Sequence, residues 1–249
     1  MKVKLNHEIK EYCGILKLKG IQSSFEHIQS ESADYEEFLH KLLTIEMEEK
    51  EKRAVSCRIR NAKFPYRKYI EDLELDCLPK AMQQLLPKLA TLDFIREGQN
   101  IIMTGNPGTR KTHVALALGL KACEQGYKVL FTTVPLLITE LKECNSAKTL
   151  RYFQNRFAKY DSIIADELGY ISFDREGTDL LFTNLSLRTA SKSTIVTSNL
   201  SFNRWDEIFG DPAVTGAMVD RLTYKSILVD MEGESYRLRE TLRATNGDF

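Results

Sequence analysis

The sequence predicts an α/β protein in which helices cover both faces of a parallel sheet, behind a small α-helical N-terminal domain. Three observations support this fold class. Short runs of strand character alternate with segments of helical character, and such alternation favours crossover connections between parallel strands. The first of these strands leads into a glycine-rich turn, and the third ends in two adjacent carboxylates. Residues 1–70 instead place apolar side chains at helical spacing, which indicates a separate helical domain.

Composition and charge limit the classes of function. With 249 residues, 43% of them hydrophobic and 28% charged, the chain can bury a full core. Because the net charge is zero, any surface that binds nucleic acid must be a local patch. The five cysteines form no C-x-x-C pair, which indicates reduced thiols in a cytoplasmic protein. We find neither a signal peptide nor an apolar run of membrane-spanning length, so we expect a cytoplasmic location and no membrane partner.

A basic segment leads out of the predicted helical domain. Between residues 52 and 68 the cationic side chains occur with no acidic residue among them. One interpretation is a solvated helix face. The nearby aromatic residues Phe64, Tyr66 and Tyr69 favour a second interpretation, which is contact with a polyanion such as DNA or the acidic surface of a partner. The cations are Lys52, Arg53, Arg58, Arg60, Lys63, Arg67 and Lys68.

The second predicted domain, residues 71–249, carries four strands that the residues themselves indicate. Each strand is a short apolar run bounded by turn or helix signals. A helix that starts near Leu78 is expected to break at Pro87, and two more helices separate the second strand from the third. The predicted strands are residues 100–104, 127–131, 162–165 and 193–197, and the two helices are residues 134–143 and 148–159.

The turn after the first strand has most of the pattern of a phosphate-binding loop. In such a loop successive backbone N–H groups converge on phosphate at the N-terminus of a helix, where the dipole favours negative charge. Lys111 would reach the β- and γ-phosphates, and the Thr112 hydroxyl would hold Mg²⁺. The residues predicted to bind the nucleotide are Gly105, Asn106, Pro107, Gly108, Thr109, Arg110, Lys111, Thr112 and His113.

One residue of the loop departs from the pattern. The motif G-x-x-x-x-G-K-[ST] has glycine before the lysine, and this chain has Arg110. Glycine lets the backbone approach the phosphate closely, and a long side chain would crowd that approach. The loop therefore predicts a nucleotide site and, at the same time, a damaged one. An alternative interpretation is a Gly/Pro turn between a strand and a helix that binds no ligand.

The third and fourth strands end in polar side chains suited to phosphate chemistry. Asp166 and Glu167 should lie at the carboxyl edge of the sheet, where ligands bind in such folds. Asp166 would coordinate Mg²⁺, and Glu167 would orient and deprotonate the attacking water. Asn199 follows the fourth strand and would hydrogen-bond the γ-phosphate or the water. The alternatives are a solvated acidic turn for the carboxylates and a plain strand-ending turn or helix cap for Asn199.

Taken in order, these segments closely resemble the IstB-like family, which comprises the transposition helper ATPases of insertion sequences. The family belongs to the AAA+ proteins and is similar to the DnaC helicase loader and the DnaA initiator. The likeness covers residues 64–239, and more loosely the helical N-terminus. It rests on residues 105–113, 166–170, 197–199, 205, 209–211, 220–222 and 233–239.

The resemblance implies a parallel five-stranded P-loop NTPase (AAA+) core behind a small N-terminal domain, and an enzyme that binds ATP and Mg²⁺ and hydrolyses ATP. Because Arg110 replaces the family's glycine, the affinity and turnover of this chain are in doubt. The residues that match the two nucleotide motifs and the first sensor of the family are Lys111, Thr112, Asp166, Glu167 and Asn199.

Two arginines gain a role only from the resemblance. Arg221 matches the arginine finger, which reaches the nucleotide of a neighbouring subunit and is best supplied by a planar, always-charged guanidinium. Arg237 matches the second sensor, which contacts phosphate within its own subunit. If Arg221 acts across an interface, the working unit is a homo-oligomer. For either arginine the alternative is a surface ion pair.

The resemblance further implies partners and leaves alternatives open. The implied function is an ATP-dependent helper that assembles on double-stranded target DNA and acts on the cognate transposase. A helicase loader of the same superfamily would instead bind a replicative helicase through its N-terminal helices. A catalytically silent scaffold would keep the fold and the DNA or partner contacts without hydrolysis, and Arg110 motivates that third possibility.

Overall fold

The computed structural model describes residues 2–31, 34–188, 191–233 and 236. The chain forms two compact units, Met1–Cys57 and Arg58–Phe249. The division falls earlier in the chain than residue 70. It does so because Ala62 belongs to the buried core of the second unit and Phe64 packs against that core.

Helices build the first unit. Phe25 and Leu42 are buried in its small apolar core, and the rings of Phe25 and Phe38 meet edge to face with centroids 5.7 Å apart. The buried carboxylate of Glu46 accepts the backbone N–H of Gly20 at 2.7 Å, which satisfies an otherwise unpaired donor at a helix start. The helices are α1 (Lys2–Ile15), α2 (Lys19–Glu31) and α3 (Tyr35–Asn61), and residues 58–61 of α3 belong to the second unit.

One parallel sheet organises the second unit. Its strands are β1 (Asn100–Thr104), β2 (Val129–Thr133), β3 (Ser162–Leu168), β4 (Ser193–Ser198) and β5 (Ser226–Asp230). Their order across the sheet is β2-β3-β4-β1-β5, and every neighbouring pair is parallel. The predicted five-stranded parallel sheet is therefore confirmed. All five carboxyl ends lie at one edge, and β4 lies between β1 and β3.

Helices cover both faces of this sheet, and none of the helices among the described residues combines the length and apolar character needed to cross a membrane. The helices of the second unit are α4 (Lys80–Leu89), α5 (Asp93–Arg96), α6 (Lys111–Glu124), α7 (Val134–Ser146), α8 (Leu150–Phe157), α9 (Arg175–Ser186), α10 (Asp206–Phe209) and α11 (Pro212–Thr223).

Alternate residues of the strands enter two separate apolar cores, one on each face. Ile101 of β1 packs in the core that contains Leu116 of α6, whereas Ile102 packs in the core that contains Leu141 of α7. This burial on both faces explains why the strands are continuous apolar runs rather than alternating ones. The sheet thus holds the ends of its strands on a rigid, fully packed base.

Two differences between the predicted and the observed elements have a direct physical reason. Pro87 does not break the helix but lies inside α4, in its last turn, where one missing N–H leaves the earlier turns intact. The second strand begins at Val129 rather than at Tyr127. The backbone N–H of Tyr127 is donated to the Ala122 carbonyl at 3.0 Å, and it therefore closes the end of α6 instead of joining the sheet.

Candidate functional site

The chain turns sharply between β1 and α6, at the carboxyl edge of the sheet. Gly105 and Gly108 have φ values of +142° and +85°, in the region that glycine favours. A Cβ on Gly105 would lie 2.6 Å from the carbonyl carbon of Met231, so a larger residue would clash with backbone there. Lys111 begins α6, and the positive end of the helix dipole therefore faces the turn.

Arg110 adopts the backbone conformation for which the motif uses glycine. Its φ of +67° and ψ of +17° are left-handed, which costs roughly 1–2 kcal/mol for a residue with a Cβ. The side chain is only 4% exposed, and its Nη2 lies 3.3 Å from Oε2 of Glu74. Its Cζ lies 3.4 Å from the centroid of the Tyr236 ring. Contacts with Glu74 and Tyr236 thus engage the guanidinium beside the loop.

The Lys111 ammonium lies within the curve of the loop. Its Nζ donates to the carbonyl oxygens of Gly105 and Asn106, each at 2.7 Å, and to Oγ1 of Thr109 at 3.3 Å. Lys111 is buried. The loop therefore places a cation where backbone oxygens surround it, and phosphate oxygens are acceptors of the same kind with more charge.

Thr112 and Asp166 meet directly, although they lie on different elements. Oγ1 of Thr112 lies 2.9 Å from Oδ1 and 3.1 Å from Oδ2 of the carboxylate. Thr197 of β4 donates a second hydrogen bond to Oδ1 of Asp166, at 2.5 Å. The structure thus brings together a hydroxyl of α6 and a carboxylate of β3, both oxygen donors of the kind that Mg²⁺ prefers.

Asp166→Asn is expected to stabilise the chain in the absence of nucleotide. Burial raises the pKa of the Asp166 carboxyl, although hydrogen bonds from Thr197 and Thr112 oppose the shift. Above its folded-state pKa, the ionised Asp166 carboxylate therefore lowers the free energy of unfolding, and this penalty disappears as the pH falls through that pKa. At neutral pH the amide should raise the melting temperature. Calorimetry over a pH series checks this prediction. A rise in melting temperature that does not shrink at acidic pH would contradict the explanation.

A local irregularity of β3 turns the second carboxylate toward the same side as the first. In a regular strand the side chains of Asp166 and Glu167 would point to opposite faces. Here the pairing of β3 with β4 shifts register between Ala165 and Leu168, and Glu167 has a left-handed φ of +64°. The backbone N–H of Glu167 is donated to Oγ1 of Thr197 at 3.0 Å, which fixes the irregularity. Asp166 is consequently buried and Glu167 exposed, yet both face one cavity.

The cavity has a volume of about 340 Å³ and lies above the carboxyl ends of β2, β3 and β4. Asn199 lies on its wall with a buried Oδ1 that has no hydrogen-bond partner among the described residues. Gly105 and Asn106 form the start of the loop but do not line the cavity. The predicted site residues that line it are Pro107, Gly108, Thr109, Arg110, Lys111, Thr112, His113, Asp166, Glu167 and Asn199.

The structure describes only one of the two arginines taken from the resemblance. Arg221 is exposed on α11, and its Cζ lies 4.6 Å from the centroid of the Phe182 ring. It does not line the cavity of its own chain. Arg237 lies outside the described residues.

Several residues of the cavity were not predicted as site residues. Tyr66 was assigned to a polyanion contact, but its ring meets that of His113 edge to face at 5.7 Å and lines the cavity. Thr197 and Tyr236 occur in the quoted motifs without a role, and both line the cavity. For Thr197 the signal was its place beside Asn199 at a strand end. No local pattern distinguishes Tyr236 from a surface tyrosine.

Comparison with known proteins supports a family assignment. The chain matches the family described as IstB-like ATP binding protein over residues 13–244. It is 36% identical over 240 residues to an insertion sequence IS5376 protein of Geobacillus stearothermophilus named for ATP binding, covering 95% of this chain and 96% of that one. An insertion sequence IS21 protein of Pseudomonas aeruginosa, also named for ATP binding, is 33% identical over 242 residues, or 96% of this chain and 91% of that one.

Among solved structures, the crystal structure of DnaI shares the fold. The TM-score is 0.55 at 21% identity, and the match covers 68% of this chain and 90% of that one. At this identity the likeness concerns the fold alone, which is that of a P-loop AAA+ domain. Because the family match covers most of the chain, the chain belongs to the IstB-like ATP-binding proteins.

Proposed function

We propose that the chain binds ATP with Mg²⁺ in this cavity, hydrolyses it, and acts as an ATP-dependent DNA-binding helper of an insertion-sequence transposase. The observation that carries the proposal is the contact of Thr112 with Asp166 at 2.9 Å. It joins the first turn of the helix behind the loop to the acidic end of β3, with Lys111 beside both. Relatives named for ATP binding support the choice of ligand.

The donor set of the cavity fits Mg²⁺. Thr112 and Asp166 would hold the ion through one hydroxyl and one carboxylate oxygen, both hard ligands. Among the residues that the structure describes there is no cluster of three or more His, Cys, Asp or Glu side chains that could hold a metal alone. This agrees with a site in which phosphate and water supply the other ligands. When bound, Mg²⁺ neutralises charge on the phosphates.

Two further polar residues that line the cavity, Glu167 and Asn199, suit hydrolysis of the γ-phosphate. Glu167 is exposed to the cavity and would accept a proton from the attacking water. Asn199 would fix that water or a γ-phosphate oxygen through its side-chain amide. Lys111 would exchange the carbonyl oxygens of Gly105 and Asn106 for phosphate oxygens, which are stronger acceptors.

Arg221 would act on a neighbouring subunit. Because the guanidinium is exposed on α11 and outside the cavity of its own chain, it is placed for contact with another molecule. In the proposed assembly each Arg221 reaches the nucleotide of the next subunit, so the contact is head-to-tail and the active form is a homo-oligomer. Arg237 would contact phosphate within its own chain, as the resemblance implies.

Double-stranded DNA would bind the basic segment that precedes the sheet. Arg60, Lys63 and Arg67 are exposed. Tyr66 belongs to the same stretch and lines the nucleotide cavity, so the segment and the ligand share a wall. We therefore propose that ATP strengthens DNA binding. The names of the relatives place them in insertion sequences, which supports a transposase as the protein partner.

Anisotropy of a labelled duplex tests this function. Binding should be tighter with ATP than without it, and the affinity should fall as salt rises, because phosphate contacts release counterions. Replacing Arg60, Lys63 and Arg67 by Gln should reduce the slope of log K against log salt by about 3. The exposed Lys148, outside the segment, offers a control as Lys148→Gln. A DNA affinity that changes neither with ATP nor with salt would refute the proposal.

A further inference from the structure

The side chain of Arg110 joins two parts of the chain that are far apart in sequence. Its Nη2 lies 3.3 Å from Oε2 of Glu74, and its Cζ lies 3.4 Å from the centroid of the Tyr236 ring. The Tyr236 hydroxyl in turn donates to Oε1 of Glu74 at 3.3 Å. Glu74, Arg110 and Tyr236 thus form a closed cluster, which we call the Arg110 latch.

The backbone strengthens the same connection. The N–H of Tyr236 is donated to the carbonyl oxygen of Gly108, within the phosphate loop, at 3.1 Å. Slightly earlier in the chain, the N–H of Met231 is donated to the carbonyl oxygen of Thr104 at 2.7 Å. The chain that follows β5 is therefore tied to the start and to the middle of the loop, and Tyr236 becomes part of the cavity wall.

Burial of Arg110 favours its contact with the Tyr236 ring. The Arg110 side chain is 4% exposed, and a cation over an aromatic face interacts more strongly when water is excluded, whereas the Glu74 side chain is 57% exposed and its ion pair contributes less. A hydrogen bond from the Cys77 thiol is the largest cause that lowers the pKa of Glu74; desolvation opposes the shift, and the charge of Arg110 adds a smaller decrease, so this carboxylate is ionised at neutral pH. Glycine at position 110 could form the left-handed turn but none of these contacts.

We propose that Arg110 is a positioning residue that holds Tyr236 as a wall of the nucleotide cavity and thereby slows release of the bound nucleotide. This role rests on the proposed function. It also gives a structural role to the arginine that stands where the motif has glycine. Arg110 acts through Tyr236 and not as a catalytic residue.

The first test follows the backbone amide of Tyr236 by hydrogen exchange, measured by NMR on the full chain without nucleotide. Arg110→Asn removes the guanidinium but keeps a residue that tolerates a left-handed φ, so the loop can retain its shape. The Tyr236 amide should exchange about 3- to 30-fold faster in this variant, the range that corresponds to a partly or fully desolvated cation–π contact. Tyr236→Phe keeps the ring and should stay within about threefold of the unchanged chain.

The second test measures dissociation of a fluorescent ATP analogue from the same variants. Arg110→Asn should accelerate dissociation of the analogue by a factor similar to that for amide exchange, with little change in the association rate. Arg110→Lys keeps a positive charge, so its dissociation rate should lie between those of Arg110→Asn and the original chain. Unchanged exchange of the Tyr236 amide in Arg110→Asn would overturn the latch. Faster exchange with unchanged dissociation would overturn the positioning role. An unchanged chain that binds no nucleotide would refute the proposed function, and this role with it, whereas failure in the exchange test refutes the role alone.

Discussion

Glu167→Gln should reduce ATP hydrolysis about 100- to 10,000-fold, the contribution typical of a general base, and leave ATP affinity within about threefold. The reason is positional. The left-handed turn at Glu167 directs its side chain into the cavity, while the neighbouring Asp166 is buried against Thr112 and Thr197. A carboxylate that is not bonded to these hydroxyls can accept a proton, and an amide of the same shape cannot.

Steady-state hydrolysis and an ATP titration on the same preparation separate the two effects. The exposed Glu143 on α7 offers a matched control, since Glu143→Gln removes one carboxylate outside the cavity. That control should hydrolyse ATP at the original rate. If Glu167→Gln retains full hydrolysis, the base must be another group, and the assignment of Glu167 is wrong.

Lys111→Ala should weaken ATP binding about 100-fold, because it removes a charge-assisted contact worth up to 3 kcal/mol. The buried ammonium already bonds to the carbonyl oxygens of Gly105 and Asn106, so the lysine is positioned before any ligand arrives. Hydrolysis should fall with the loss of binding. Competition against a fluorescent ATP analogue measures the change.

Two further variants test whether misfolding, or the loss of any cation from α6, could explain the weaker binding. Lys111→Gln keeps a hydrogen-bond donor for the loop carbonyls and should preserve folding better than alanine, yet it lacks the charge and should bind ATP as weakly. Lys121→Ala removes a cation from the other end of α6 and should leave affinity unchanged. Equal affinity in Lys111→Gln and the original chain would show that the ammonium does not contact phosphate.

The local sequence was sufficient to locate the main elements of the site. The first strand, Asn100–Thr104, agrees with its apolar run, and the loop and α6 follow as predicted. The acids at the end of β3 reach the same sheet edge because parallel strands align their carboxyl ends. These features depend on short-range patterns of strand, turn and helix, which the sequence expresses directly.

Features that depend on pairing across the sheet could not be predicted in this way. Thr197 contacts Asp166 because β3 and β4 pair with Ala165 opposite Val196, and no property of either strand alone fixes that register. The left-handed turn at Glu167 likewise results from the shift in that pairing. The predicted third strand ends at residue 165, where this irregularity begins.

Arg110 shows most clearly what the local sequence could not predict. The motif predicted that a long side chain would crowd the phosphate, which treats the residue as an isolated defect. The structure gives the guanidinium partners at Glu74 and Tyr236, which lie far from it in the chain. Only the folded arrangement reveals those partners, and they are the basis for expecting a functional rather than a damaged loop.

Calorimetric titration of ATP into the unchanged chain, with and without Mg²⁺, tests the nucleotide site most directly. We predict one site per chain with a Kd below about 1 mM, the upper range of enzyme affinities for substrates. Binding should weaken when Mg²⁺ is withheld, and it should weaken about 100-fold in Lys111→Ala. Absence of heat with Mg²⁺, or binding that Lys111→Ala does not alter, would contradict the site and favour a scaffold that retains the fold without the nucleotide.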